Sequence, residues 1–139
     1  MATVSLLDTA RNNQKRQIAA SVGTFKLTNS DGTAVSGNEY QVAIIPANTL
    51  LTSLNLLIEE SFGAGTADIG LDGDNKYKDN LSLSTSAGTV TASTAVGTYS
   101  ADSRIVTVVP STISAATRGS LRVIAQYVEI DTKTGSYTK

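Results

Sequence analysis

The side chains able to do chemistry here are few and almost all oxygen-bearing. Asp68, Asp72, Asp74 and Asp79 crowd around Gly73. Ca²⁺ takes six to eight hard oxygen ligands, and the run Asp72-Gly73-Asp74-Asn75 offers several closely spaced ones. This makes Asp72, Asp74 and Asp79 the one candidate cation site. The pattern departs from a calcium-binding loop, because Lys76 stands where another oxygen is wanted and no Glu closes the loop. A turn held by Asp side chains accepting backbone N–H bonds explains the same residues without a metal, so the sequence requires no cofactor.

Glu59 and Glu60 are the remaining acidic pair. Glycoside hydrolysis needs two carboxylates facing across a cleft, whereas neighbours on a regular strand point to opposite faces. The chain has no His, no Cys and no Trp. That removes the Ser-His-Asp triad, the Cys nucleophile, the disulfide and the ordinary zinc site. It also removes the side chain that titrates near neutrality. The composition points to a non-enzymatic protein with no small-molecule substrate.

Two groups among the basic residues stand out, Arg11, Lys15 and Arg16 near the start and Arg118 and Arg122 near the end. Phosphate contact would suit either. No aromatic residues interleave with them and the net charge is −1, so neither nucleic acid nor a membrane surface is an expected partner. Pairing with acidic groups on a protein fits better.

The elements that position these residues read as strands. Ser and Thr make up 35 of 139 residues and apolar residues 40%. A chain this long forms one core, here built from Val, Ile, Leu and Ala. From Val22 onward apolar and polar residues alternate with period two. Phe25 and Leu27 precede an Asp31-Gly32 turn, a strong hairpin signal. Tyr40, Val42 and Ile44 alternate with Glu39, Gln41 and Ala43 up to Pro46. Leu50, Leu54, Leu56 and Ile58 make the next face, then Ala67, Ile69 and Leu71. Arg104 to Val109 alternates and Pro110 ends it. The expected inward face comprises Phe25, Leu27, Val42, Ile44, Leu54, Leu56, Ile69, Leu71, Val106, Val108, Leu121 and Val123. The Ser/Thr-rich stretch 82–103 reads as an edge hairpin, and Tyr77 and Tyr99 as loop-tip residues.

About seven or eight mostly antiparallel strands indicate an all-β fold, a single β-sandwich or jelly roll over 21–139. Residues 1–20 differ: polar, without Gly or Pro up to Ile18, and carrying Arg11, Lys15 and Arg16. They read as an N-terminal arm or a short helix capped by Asp8 or Thr9, either solvated or laid on a partner. The first residues show no basic region leading into an apolar one, so the expectation is cytoplasmic synthesis without a signal peptide.

The final strand is apolar on both sides. Leu121, Val123, Ala125 and Tyr127 share one face while Ile124, Val128 and Ile130 occupy the other. A strand with one wet face alternates. Either a segment of the chain covers its back, or a second subunit does, which makes Ile124, Val128 and Ile130 candidate partner-binding residues alongside Arg11, Lys15 and Arg16.

Four stretches together resemble a known group: Ile45-Pro46-Ala47-Asn48-Thr49-Leu50-Leu51-Thr52, Ala67 to Asp74, Arg104 to Ser111, and the Gly119 to Asp131 strand. In this order, across residues 40–131, they resemble the small β-sandwich virion structural proteins of tailed bacteriophages, of the head decoration (cement) and head-fibre-base type. The resemblance carries strand and turn patterns and no catalytic residues. It implies a virion protein on the capsid surface, a homotrimer, bracing the major capsid protein. Tail, neck or receptor-binding virion modules share the composition, and a carbohydrate- or host-binding sandwich is the alternative from another class.

Overall fold

The computed structural model describes residues 18–29 and 32–130, and the segment carrying Arg11, Lys15 and Arg16 lies outside them. The strands are β1 (Ile18–Lys26), β2 (Thr28–Asn29), β3 (Gly32–Thr33), β4 (Tyr40–Ile45), β5 (Thr49–Glu60), β6 (Thr66–Leu71), β7 (Lys78–Ser82), β8 (Val90–Ala92), β9 (Thr98–Ser100), β10 (Arg104–Ser111) and β11 (Ser120–Glu129). Among the described residues there is no helix. The strand count exceeds the expected number because β2, β3, β8 and β9 are only two or three residues long.

Two antiparallel sheets form a sandwich. The first has the order β1-β11-β5, with β8 and β9 sharing the far margin of β5, and the second has the order β4-β10-β6-β7. β8 and β9 do not pair with each other, so stretch 82–103 lines β5 instead of forming a hairpin. The ribbon β2–β3 pairs Thr28 with Thr33 and Asn29 with Gly32, matching the Asp-Gly turn signal at that place.

The core between the sheets is aliphatic, as the composition requires. Leu54, Leu56 and Ile58 of β5 and Leu121, Val123 and Ala125 of β11 meet Ile45, Ile69, Val106 and Val108 of the second sheet. Phe25 supplies the main aromatic contacts, against Phe62 at 5.8 Å and Tyr40 at 5.2 Å between ring centroids.

Two expected inward residues are corrected. Ile44 is 60% exposed and Val42 only half-buried, while Ala43 and Ile45 face the core. The cause is a β-bulge. Val106 pairs with Ala43 and Thr107 with Gln41, so Val42 is the extra residue and the alternation inverts across it. A second bulge, with Gln126 opposite Ser53 and Tyr127 opposite Leu51, makes Thr52 the extra residue. It turns Leu51 inward and leaves Leu50 on the outer face, opposite to a strict period-two reading.

Pro110 does not end its strand. It pairs with Ala67 inside β10 and is buried. Its carbonyl accepts from Gly37 N–H on the β4 side, where β4 pairing has already stopped at Val108. The N–H that proline lacks falls on this unpaired side, so the ladder to β6 continues.

Candidate interaction surface

The Asp72–Asp79 segment is a turn that uses its own carboxylates. Asp74 Oδ1 accepts from Leu71 N–H at 2.8 Å and from Lys76 N–H at 2.9 Å. Asp68 Oδ1 accepts from Asn80 N–H at 2.9 Å. Gly70 permits this, since a Cβ there would overlap Asp74 Oδ1. The turn folds over the outer face of the second sheet, where Gly73 N–H donates to Thr107 Oγ1 at 2.8 Å. Thr107 Oγ1 in turn donates to Gly70 O at 3.3 Å, and Thr107 is fully buried although it points away from the core. Among the described residues no group of three or more Asp, Glu, His or Cys side chains is gathered to hold a metal.

Tyr77 is not a loop-tip residue. It is buried at the end of this turn, its N–H donating to Ile69 O. Burial pushes its phenol above the ordinary value of 10, the Arg104 charge pulls it back, and Asp74 raises it further. No hydrogen bond of good geometry reaches the Tyr77 hydroxyl, although the guanidinium is near enough to favour a phenolate. Tyr99 is exposed, and its hydroxyl donates to Asn48 Oδ1 at 3.1 Å.

Arg104 is the residue that sequence reasoning missed. It is buried at the start of β10, in the second sheet, yet its hydrogen bonds go to the first. One terminal nitrogen donates to Thr98 Oγ1 at 3.0 Å and Thr98 O at 3.4 Å, the other to Thr49 O at 3.2 Å and Thr49 Oγ1 at 3.4 Å. The planar fork therefore ties β9 and β5 to β10. The one signal in the sequence was its position, a charge at the first inward place of a strand whose other inward residues, Val106, Val108 and Pro110, are apolar.

Glu59 and Glu60 share a side after all. Ser120 pairs with Glu60 and Leu121 with Ile58, so Glu59 sits in a bulge. Both acids line a shallow groove of about 410 Å³ with Thr24, Lys26, Ser120 and Arg122. Arg122 forms an ion pair with Glu59 at 3.0 Å, half-open to solvent. Neither acid faces another across a cleft. Arg118 is exposed in the loop before β11.

The partner-binding candidates Ile124 and Val128 lie on the outer face of the first sheet, half-buried, and Ile130 follows at its end, exposed. The register adds neighbours that the sequence did not single out. Ile124 is flanked by Val22 on β1 and Asn55 on β5, Val128 by Leu50, and Leu50 by Tyr99. Leu57 and Val90 extend the apolar area toward β8. At the β1 margin a groove of about 400 Å³ opens between Val22, the exposed Ile44 and the half-buried Ile105.

No known protein family matches the sequence, and no curated protein is similar to it. Solved structures of the same fold do exist. A chain of the cyanophage Pam1 capsid asymmetric unit is 17% identical, with a TM-score of 0.65 over 81% of this chain and 85% of that one. A chain of the capsid of Ralstonia phage GP4 is 17% identical, with a TM-score of 0.58 over 95% and 92%. A chain of the acid-stable capsid of Helicobacter pylori bacteriophage KHP30 is 12% identical, with a TM-score of 0.60 over 81% and 87%. At these identities the likeness is one of fold.

Proposed function

We propose that this chain is a non-enzymatic structural protein of a bacteriophage virion, sited on the capsid surface, where it decorates and cements the shell by binding the major capsid protein. The observation that carries the reading is the recurrence of this sandwich, nearly end to end, in chains of three phage capsid structures. The molecule's own features agree with it. Asp68 and Asp74 accept hydrogen bonds from backbone N–H groups, Glu59 pairs with Arg122, and the conspicuous remaining feature is apolar outer surface. Arg11, Lys15 and Arg16 serve in this proposal as contacts to the shell, and Ile124, Val128 and Ile130 as contacts to a partner chain. Self-association, with a trimer as the expected state, multiplies weak single contacts through high effective concentration.

The test is to add purified protein to capsids lacking it and to measure saturable co-sedimentation and the attached density by electron microscopy. Saturation at a fixed number of copies per capsid supports the proposal. Deleting residues 2–17 is expected to lower occupancy, and unchanged occupancy removes Arg11, Lys15 and Arg16 from the contact. Absence of shell binding together with saturable binding to a bacterial polysaccharide would establish the host-binding alternative instead.

A further inference from the structure

We infer that the outer face of the β1-β11-β5 sheet is where copies of this chain meet, around an axis running parallel to its strands. This rests on the proposal that the protein works as a homo-oligomer, and it names the surface and the symmetry.

The two sheets have outer faces finished in different ways. The second is capped at its centre by its own chain, since the Asp72–Asp74 turn closes over Thr107 and buries it, leaving Ile44 exposed at the β4 margin. Among the described residues nothing closes over the first. Val22, Val90 and Tyr99 are 52%, 59% and 48% exposed there, with Ile124, Leu57 and Leu50 half-buried between them. The register aligns Val22, Ile124, Asn55 and Ala92 in one row across the sheet, and Thr24, Arg122, Leu57 and Val90 in the next.

Size argues for a second copy. Four strands about 4.8 Å apart, at about 3.4 Å per residue over ten residues, present roughly 650 Å². A standard stable interface takes about 800 Å² from each partner, and the groove beside Val22 extends the face at its β1 margin.

Charge fixes the axis. Charged groups on this face are confined to one end, with Lys26 on β1 and Glu60 on β5 flanking Ser120 in the end row and the Arg122–Glu59 ion pair beside it. Rotation about an axis parallel to the strands brings the β1 margin of one copy beside the β5–β8 margin of the next at equal height. Lys26 then meets Glu60 of the next copy, and Val22 meets its Ala92. Three such faces close around a threefold axis. An axis perpendicular to the strands would instead press the charged end against Leu50, Val128 and Tyr99 at the apolar end, stranding charge on hydrocarbon.

Mass photometry and sedimentation velocity on the full chain test this. The unaltered protein is expected to be oligomeric at micromolar concentration. Ile124→Glu and Val90→Glu should raise the dissociation constant at least tenfold with unchanged far-UV circular dichroism. Val35→Glu, similarly exposed but in the loop between β3 and β4 and outside both grooves, should not. Because the chain has no Cys, Val22→Cys/Ala92→Cys gives a readout independent of destabilisation: mild oxidation should yield covalent oligomers and no other ladder. A monomeric unaltered protein overturns the oligomer itself. Persistence of the oligomer in both Glu variants, or absence of cross-linking in an oligomeric Cys variant, overturns only the face assigned to it.

Discussion

Replacing Gly23 by Ala should open the seam where the two sheets meet, and the structure supplies the size of the effect. Gly23 lies in β1, opposite Val123, and its missing side chain would point inward at the bulge of β4. A Cβ built there would lie 1.7 Å from the Val42 carbonyl oxygen, 2.5 Å from its carbon and 3.3 Å from Ala43 N. Ordinary contact needs about 3.4 Å, so β4 must retreat by well over an ångström. The obstructing group is backbone held on either side by the ladder pairs of Gln41 and Ala43 to β10, and it cannot swing aside as a side chain would. Overpacking of cores costs typically 1–3 kcal/mol, occasionally more, and this rigid case should reach about 3 kcal/mol. At about 2–8 °C per kcal/mol for domains bracketing this length, Tm should fall by roughly 10 °C. Thermal unfolding followed by circular dichroism, with urea midpoints as a check, measures it. Gly37→Ala is the control: its Cβ would have nothing within 4 Å but must adopt a φ of +88°, so it should cost only about 1 kcal/mol. A Gly23→Ala loss no larger than that of Gly37→Ala would refute the seam argument.

Four further outcomes follow from the packing and the turn. Leu56→Ala removes a fully buried side chain at the centre of β5 and should lower stability by about 2–5 kcal/mol in urea unfolding; a loss under 1 kcal/mol would mean the two sheets do not close there. Asp74→Ala removes the acceptor of two solvent-accessible hydrogen bonds, from Leu71 and Lys76 N–H, and should cost about 1–2 kcal/mol, while Asp74→Asn keeps the accepting oxygen and should cost less. Chelator should leave Tm unchanged, and a drop of several degrees would make the turn a cation site after all. Tyr77 has its folded pKa raised above the unfolded value of 10, so its contribution is complete below pH 10 and is lost as pH climbs through 10 toward the folded value. Tyr77→Phe, which removes a hydroxyl without a partner, should change stability little at pH 7 and lose less than the parent between pH 9 and 11; parallel pH profiles would contradict this.

Strand identity was legible in the sequence because period-two alternation and turn residues are local. Leu54, Leu56, Val106, Val108, Leu121 and Val123 face inward as their spacing dictates. The Asp72–Asp74 turn likewise follows from short side chains reaching neighbouring N–H groups. Which side a strand presents beyond a bulge was not legible. An extra residue at Val42, Thr52 or Glu59 is defined only against the partner strand, from residues tens of positions away. These three extra residues respectively send Ile44 out, bring Leu51 in, and put Glu59 on the same side as Glu60. Arg104 and Tyr77 show the same division. Their burial depends on Thr49, Thr98 and the Asp72–Asp74 turn arriving from other parts of the chain, and local pattern carries no record of that. The two-sided apolar character of β11 is written in its own residues. That the face with Ile124 also gathers Val22, Leu57 and Val90, with Lys26 and Glu60 at one end, was decided only by antiparallel register. Register is set by the pairing of whole strands, and so belongs to the tertiary structure.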